Sequence, residues 1–125
     1  MHGKRPSADD IQEMEPGMRM DNLIGYAIGK MGLFDYSTNN RYAVDLLDWL
    51  KKEGIEYHIY STHDDRILVE LSWIQQTPPI KWVVVCSKGV GFCDALCRAV
   101  LLAKGKRGWN NPKPETVVNQ GGNNG

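Results

Sequence analysis

Residues 80–105, IKWVVVCSKGVGFCDALCRAVLLAKG, decide the fold. Their first eight residues carry three consecutive valines after a tryptophan, which reads as a central or well-buried strand. Gly89 and Gly91 then punctuate the chain, and the spacing predicts a helix from about Gly91 to Lys104. Phe92, Ala95, Leu96, Ala99, Val100 and Ala103 share one face of it. Cys93, Cys97, Leu101 and Leu102 carry the apolar arc well around the cylinder, leaving only Asp94 and Arg98 to face away. A helix this apolar needs cover on more than one side. A chain of 125 residues has little to cover a second side with, so the reading is that another copy of the chain supplies it.

Working outward, RILVELSW (66–73) alternates with period two, with Ile67, Val69, Leu71 and Trp73 on one face. IEYHIYS (55–61) alternates as well. THDD (62–65) and QQTPP (75–79) are short connections, so the three strands form an antiparallel sheet. Two helices are expected before them. The first runs from Met20 to Met31, with Asp21 as N-cap, Leu23, Ile24, Ala27 and Ile28 in one stripe, and Gly32 as its stop. Gly25 and Gly29 on that helix suggest close approach of another backbone. The second helix runs from Asn40 to Glu53, with Ala43, Leu46, Leu47 and Leu50 inward and Gly54 as its stop. The order α-α-β-β-β-α predicts an α+β fold, a three-stranded or slightly larger antiparallel sheet packed with helices. Residues 1–17 show no periodicity and are expected to be a flexible lead. Residues 18–111 form the single domain, and the Pro, Asn and Gly tail 112–125 is expected to be disordered.

Lys plus Arg and Asp plus Glu both number 15, so the net charge is zero, which argues against a polymeric nucleic acid as partner. No apolar run approaches the roughly 18 residues of a membrane span, and MHGKRPSADD (1–10) has no signal-peptide character. The expectation is a cytoplasmic protein with no membrane partner. The cysteines, Cys86, Cys93 and Cys97, are odd in number and read as small buried apolar residues in a reducing compartment. They do not read as a disulfide framework or a zinc site, so neither a metal nor a cofactor is expected.

Three strings, GKMGLFDYSTNNRYAVDLLDWL (29–50), WVVVC (82–86) and DALCRAVLLAKG (94–105), resemble the phage ABA-sandwich domain family over roughly residues 20–105. One branch of that family is the first type of Thoeris anti-defence protein, and LFDYSTN leading into YAVDLLDWL is similar to that branch. The resemblance implies a non-catalytic protein in the cytoplasm of an infected bacterium. It would bind and sequester cyclic ADP-ribose-type signals, with cyclic oligonucleotides as further ligands, as a homo-oligomer (a dimer or a trimer of dimers).

A ligand of that kind needs an aromatic platform, fixed donors for phosphate, and amides or hydroxyls for ribose. The chain offers three candidate places. In SKGVGF (87–92), Lys88, Gly91 and Phe92 stand at a helix N-terminus whose N–H groups suit an anion. Asp94 already complements the dipole there, and an ordinary strand-to-helix turn is the alternative. Arg98, with Trp82 and Lys81, is the second place. The alternative there is a salt bridge between subunits, since an unpartnered Arg at an interface is costly. The third is AKGKRGWNN (103–111), where Lys104, Lys106 and Arg107 precede Trp109 and Asn110. A solvated, dipole-compensating helix end is its alternative. Phe34–Arg41 mixes aromatics, hydroxyls and amides, but an N-cap with a hydrophobic staple explains it as well. His63, Asp64, Asp65 and Glu70 sit where turns favour Asp, and no nucleophile with a base is recognisable. A protein-interaction module and a small nucleotide hydrolase remain as alternatives to the signal-binding reading.

Overall fold

The structure, a computed structural model, describes residues 6–30, 32 and 34–108. Its elements run α1 (Ala8–Glu13), α2 (Met18–Ile28), α3 (Asn40–Lys52), β1 (Glu56–Ser61), β2 (Ile67–Gln75), β3 (Lys81–Gly89) and α4 (Phe92–Arg107). The strands form one antiparallel sheet in the order β1-β2-β3. This is the expected α+β architecture, with one helix added at its start.

Period-two patterning fixes the faces of the sheet. Ile67, Val69, Leu71 and Trp73 on β2 and Val83, Val85 and Ser87 on β3 look toward the helices. α4 lies on β2 and β3, α3 packs beside α4 and reaches β1, and α1 and α2 close over α4. Ten of the sixteen residues of α4 are buried. The second cover that α4 requires is therefore α1, α2 and α3 of the same chain, which corrects the expectation that another copy supplies it. Among the described residues, apolar surface is left open on the other face of the sheet, as well as at Met18 and Tyr26 on α2, Val44 on α3 and Val90 before α4. Trp82 is 57% exposed and Val84 50%, with Ile74 and Tyr60 close behind.

Residues 6–17 of the lead segment are the second correction; residues 1–5 and the tail 112–125 lie outside the described residues. Ser7 caps α1 through a reciprocal pair of bonds: its hydroxyl accepts from Asp10 N at 3.1 Å while Asp10 Oδ2 accepts from Ser7 N at 3.0 Å. Ile11 and Met14 are buried in the main core. A six-residue helix is too short to show a period, and its stability comes from what it packs on.

Glycine also decides the end of α2. Gly29 takes a left-handed conformation (φ 78°) and stops the helix at Ile28, three residues before the expected end. Gly25 lies beneath the returning chain, where an added Cβ would meet Lys30 O at 2.9 Å. The helix begins at Met18, so Asp21 is not its N-cap. Asp21 Oδ1 instead accepts from Ser37 N (2.8 Å) and Ser37 Oγ (2.7 Å), tying α2 to the loop before α3.

Candidate functional site

β2 is longer than β1. Glu56, the first residue of β1, pairs with Ser72, so Trp73, Ile74 and Gln75 run on past the end of β1. The notch so formed is a groove of about 300 Å³ walled by Glu53, Trp73, Gln76, Trp82 and Arg107. A shallower depression of about 440 Å³ continues it along the β2–β3 connection, with Lys106 on its rim.

Arg107 ends α4, where a cation suits the negative helix terminus. Its Nη2 donates to Glu53 Oε1 at 3.2 Å, and its guanidinium carbon stands 5.4 Å from the centre of the Trp73 ring. Both side chains of this ion pair are about a quarter exposed, at 27% and 22%. The guanidinium is thus fixed between a carboxylate and an indole while one side meets solvent. Trp82 stands on the outer face beside Ile74, its register partner, and presents its ring to water. The arrangement supplies an aromatic plate, a fixed cation, a carboxylate and an amide within one groove. That set suits a flat base with an attached sugar and phosphate.

The structure divides the residues expected to bind a ligand. Trp82 and Arg107 come together. Lys88, Gly91 and Phe92 lie at the opposite end of β3. There Lys88 Nζ pairs with Asp64 Oδ2 at 3.8 Å, Gly91 caps α4 and Phe92 packs against the core. The carboxyl of Asp64 is held below its usual range, first by a hydrogen bond from the Thr62 hydroxyl and then by Lys88 and Arg66. The turn expected to cradle phosphate is closed by the protein itself at Gly89 and Val90, and stays open at Gly91. Asp94 Oδ2 accepts from Val90 N at 3.2 Å, and a Cβ at Gly89 would meet Ala95 N at 2.5 Å and Asp94 Oδ2 at 2.7 Å.

Arg98 is a correction. It does not face an interface or an open groove, and neither does Asp94: they are 6% and 5% exposed. Arg98 Nη1 donates to the carbonyls of Ile11 (2.7 Å), Gln12 (3.0 Å) and Met14 (2.7 Å), and Nη2 pairs with Asp94 Oδ1. It caps the C-terminus of α1, a structural task within one chain. Trp109 and Asn110, also expected at the site, lie outside the described residues; they follow Gly108 directly in sequence.

Phe34, Tyr36 and Tyr42 cluster edge to face, and Asn39 caps α3 by accepting from Arg41 N at 3.0 Å. The capping alternative therefore accounts for this segment. Glu53, Trp73 and Gln76 are the groove residues that the sequence reading missed. Glu53 reads as the solvated end of a helix and Trp73 as core. Only the unequal lengths of β1 and β2 hint at the notch.

Among the described residues, no group of three His, Cys, Asp or Glu side chains is placed to hold a metal ion, and no helix is long and apolar enough to cross a membrane. Comparison with protein-family models, curated proteins and solved structures finds no match to this chain.

Proposed function

We propose that this protein binds a small nucleotide signal of the cyclic ADP-ribose type at the end of its sheet and holds it without cleaving a bond. The observation that carries this reading is the meeting of Trp82 and Arg107, which are far apart in sequence, in one groove with Glu53 and Gln76. A second support is the resemblance of residues 20–105 to phage ABA-sandwich proteins and their signal-sequestering branch. In that setting the protein works in the cytoplasm of an infected bacterium and acts by mass action. Each occupied groove removes one molecule from a host immune signal, and cyclic oligonucleotides form a further ligand class. Trp82 stacks on the base, Arg107 and Lys106 face the phosphates, and Glu53 and Gln76 meet the ribose hydroxyls.

The test is depletion followed by release. The full chain is mixed with a cyclic ADP-ribose isomer and filtered, and the retained protein is then heat-denatured. Loss of the nucleotide from the filtrate, and its recovery unaltered after heating, is the expected result. A chemically changed product points to the hydrolase instead. Trp82→Ala and Arg107→Ala should each weaken uptake at least tenfold, about 1.4 kcal/mol. A parent protein that depletes no such nucleotide overturns the proposal.

A second reading has its own observation. The outer face of the sheet exposes Ile74, Ile80, Trp82 and Val84, an apolar patch that suits a protein partner. Uptake of no nucleotide, together with stable association through that patch, favours this reading.

A further inference from the structure

β3 is the terminal strand of the sheet. It pairs with β2 on one side, and among the described residues no strand lies on the other. A groove of about 590 Å³ borders that edge. Val85 and Cys86 both line it, and consecutive strand residues point to opposite faces, so the groove follows the strand's backbone edge. Ile11, Leu102 and Lys106 form its helical wall. The helices flank the edge and leave space beside it.

An open edge of nine residues is a template for pairing, and proteins commonly blunt such edges with proline, a bulge or a central charge. β3 has none of these. Its two lysines, Lys81 and Lys88, stand near its ends, and between them run Trp82, three valines and Cys86.

We propose that two copies of the chain join β3 to β3 antiparallel, about a two-fold axis at Val85, into one six-stranded sheet. The register follows from parity. Paired residues share a face, so core-facing residues must meet core-facing residues. Of the registers that satisfy this, the one centred on Val85 overlaps the whole strand. It sets Trp82 opposite Lys88 of the partner subunit and Val84 opposite Cys86 of the partner subunit. On the inner face Val83 meets Ser87 of the partner subunit, and Lys81 meets Gly89 of the partner subunit. No like charges face each other, and each ammonium of Lys88 lies against an exposed indole. A slip of one residue sets Lys81 against Lys88 of the partner subunit and turns the apolar inner row outward.

The pairing has a consequence at the groove that holds Trp82 and Arg107. Within one chain, Lys88 is at the far end of β3 from Trp82; across the two-fold axis it arrives beside it. Lys88 of the partner subunit then flanks the Trp82 ring from the free edge of β3, on the side away from Glu53 and Arg107, and its bearing on the groove through that ring alone rests on the nucleotide-binding reading.

The experiment uses Val84→Cys in the full chain. Sedimentation equilibrium of the parent at micromolar concentration should give a dimer. Mild oxidation of the variant should give a covalent dimer whose disulfide joins the introduced thiol to Cys86 of the other copy, located by peptide mapping. The parent, with Val84 opposite Cys86, should give none under the same conditions. A parent that sediments as a single chain overturns the pairing, as does a dimeric variant whose introduced thiol finds no partner across the seam. The two readings fail separately. Nucleotide depletion by a monomeric parent sinks the pairing and leaves binding intact, and a cross-linked dimer that takes up no nucleotide does the reverse.

Discussion

Replacing Arg98 by methionine should unfold much of what holds α1 to the domain while leaving the nucleotide groove chemically untouched. Methionine fills most of the aliphatic volume of arginine, so the change isolates the guanidinium. Two costs add. Asp94, 5% exposed, loses its ionic partner and keeps one hydrogen bond, from Val90 N. Breaking a buried pair from one side costs about 3–5 kcal/mol. The carbonyls of Ile11, Gln12 and Met14 also lose the donor that served all three. Part of that second cost is recovered, because α1 can detach and let water reach its carbonyls. The net expectation is about 3–5 kcal/mol, a large share of the roughly 5–15 kcal/mol that holds a domain of this size together. In melting temperature this is a fall of roughly 10–20 °C. Urea unfolding followed by far-UV circular dichroism measures the loss, and hydrogen exchange locates it, with amides of α1 losing protection first. The pair Arg98→Met with Asp94→Asn should recover at least about 1 kcal/mol, since no unpaired charge then remains. A single variant within about 1 kcal/mol of the parent would refute the buried-cap account. So would a double variant no better than the single one.

Gly89→Ala puts a methyl group against the backbone of Ala95, which cannot swing aside, and should cost about 1–3 kcal/mol in urea unfolding. Gly91→Ala, in open space two residues on, is the control and should cost well under that. Tyr36→Phe removes a buried hydroxyl that has no hydrogen-bond partner among the described residues, so stability should be unchanged or raised by up to about 1 kcal/mol. Ellman's reagent should titrate one thiol in the folded protein, the exposed Cys86, and all three after denaturation. Burial pushes the thiols of Cys93 and Cys97 above their ordinary 9.0, so the fold favours the protonated forms. Their contribution is then complete below pH 9.0 and is lost as pH rises beyond it, and Cys97→Ala should flatten that alkaline fall in melting temperature. Equal slopes for parent and variant would remove Cys97 as the cause.

The sequence alone carried the strands, the two longer helices ahead of them and the final helix, because each of these buries a regular face and so writes a period into the chain. Val69, Leu71 and Trp73 could be assigned to the core face without coordinates, and α4 could be recognised as a helix covered on two sides. What covers it was a tertiary matter. The end of α1 is capped by Arg98, more than eighty residues away, which donates to the carbonyls of Ile11 and Met14, and no local pattern encodes a contact of that reach. Arg98 shows the same limit from the other side. A lone cation on an apolar helix reads alike whether it meets a ligand, a second chain or three carbonyls of its own chain. The groove was half legible. Trp82 and Arg107 stood out by residue type, but it took the overhang of β2 past β1 to put them together and to recruit Glu53, Trp73 and Gln76. Periodicity reports which side of an element is dry. Which elements share that dryness, and what their ends enclose, is settled only when the chain closes on itself.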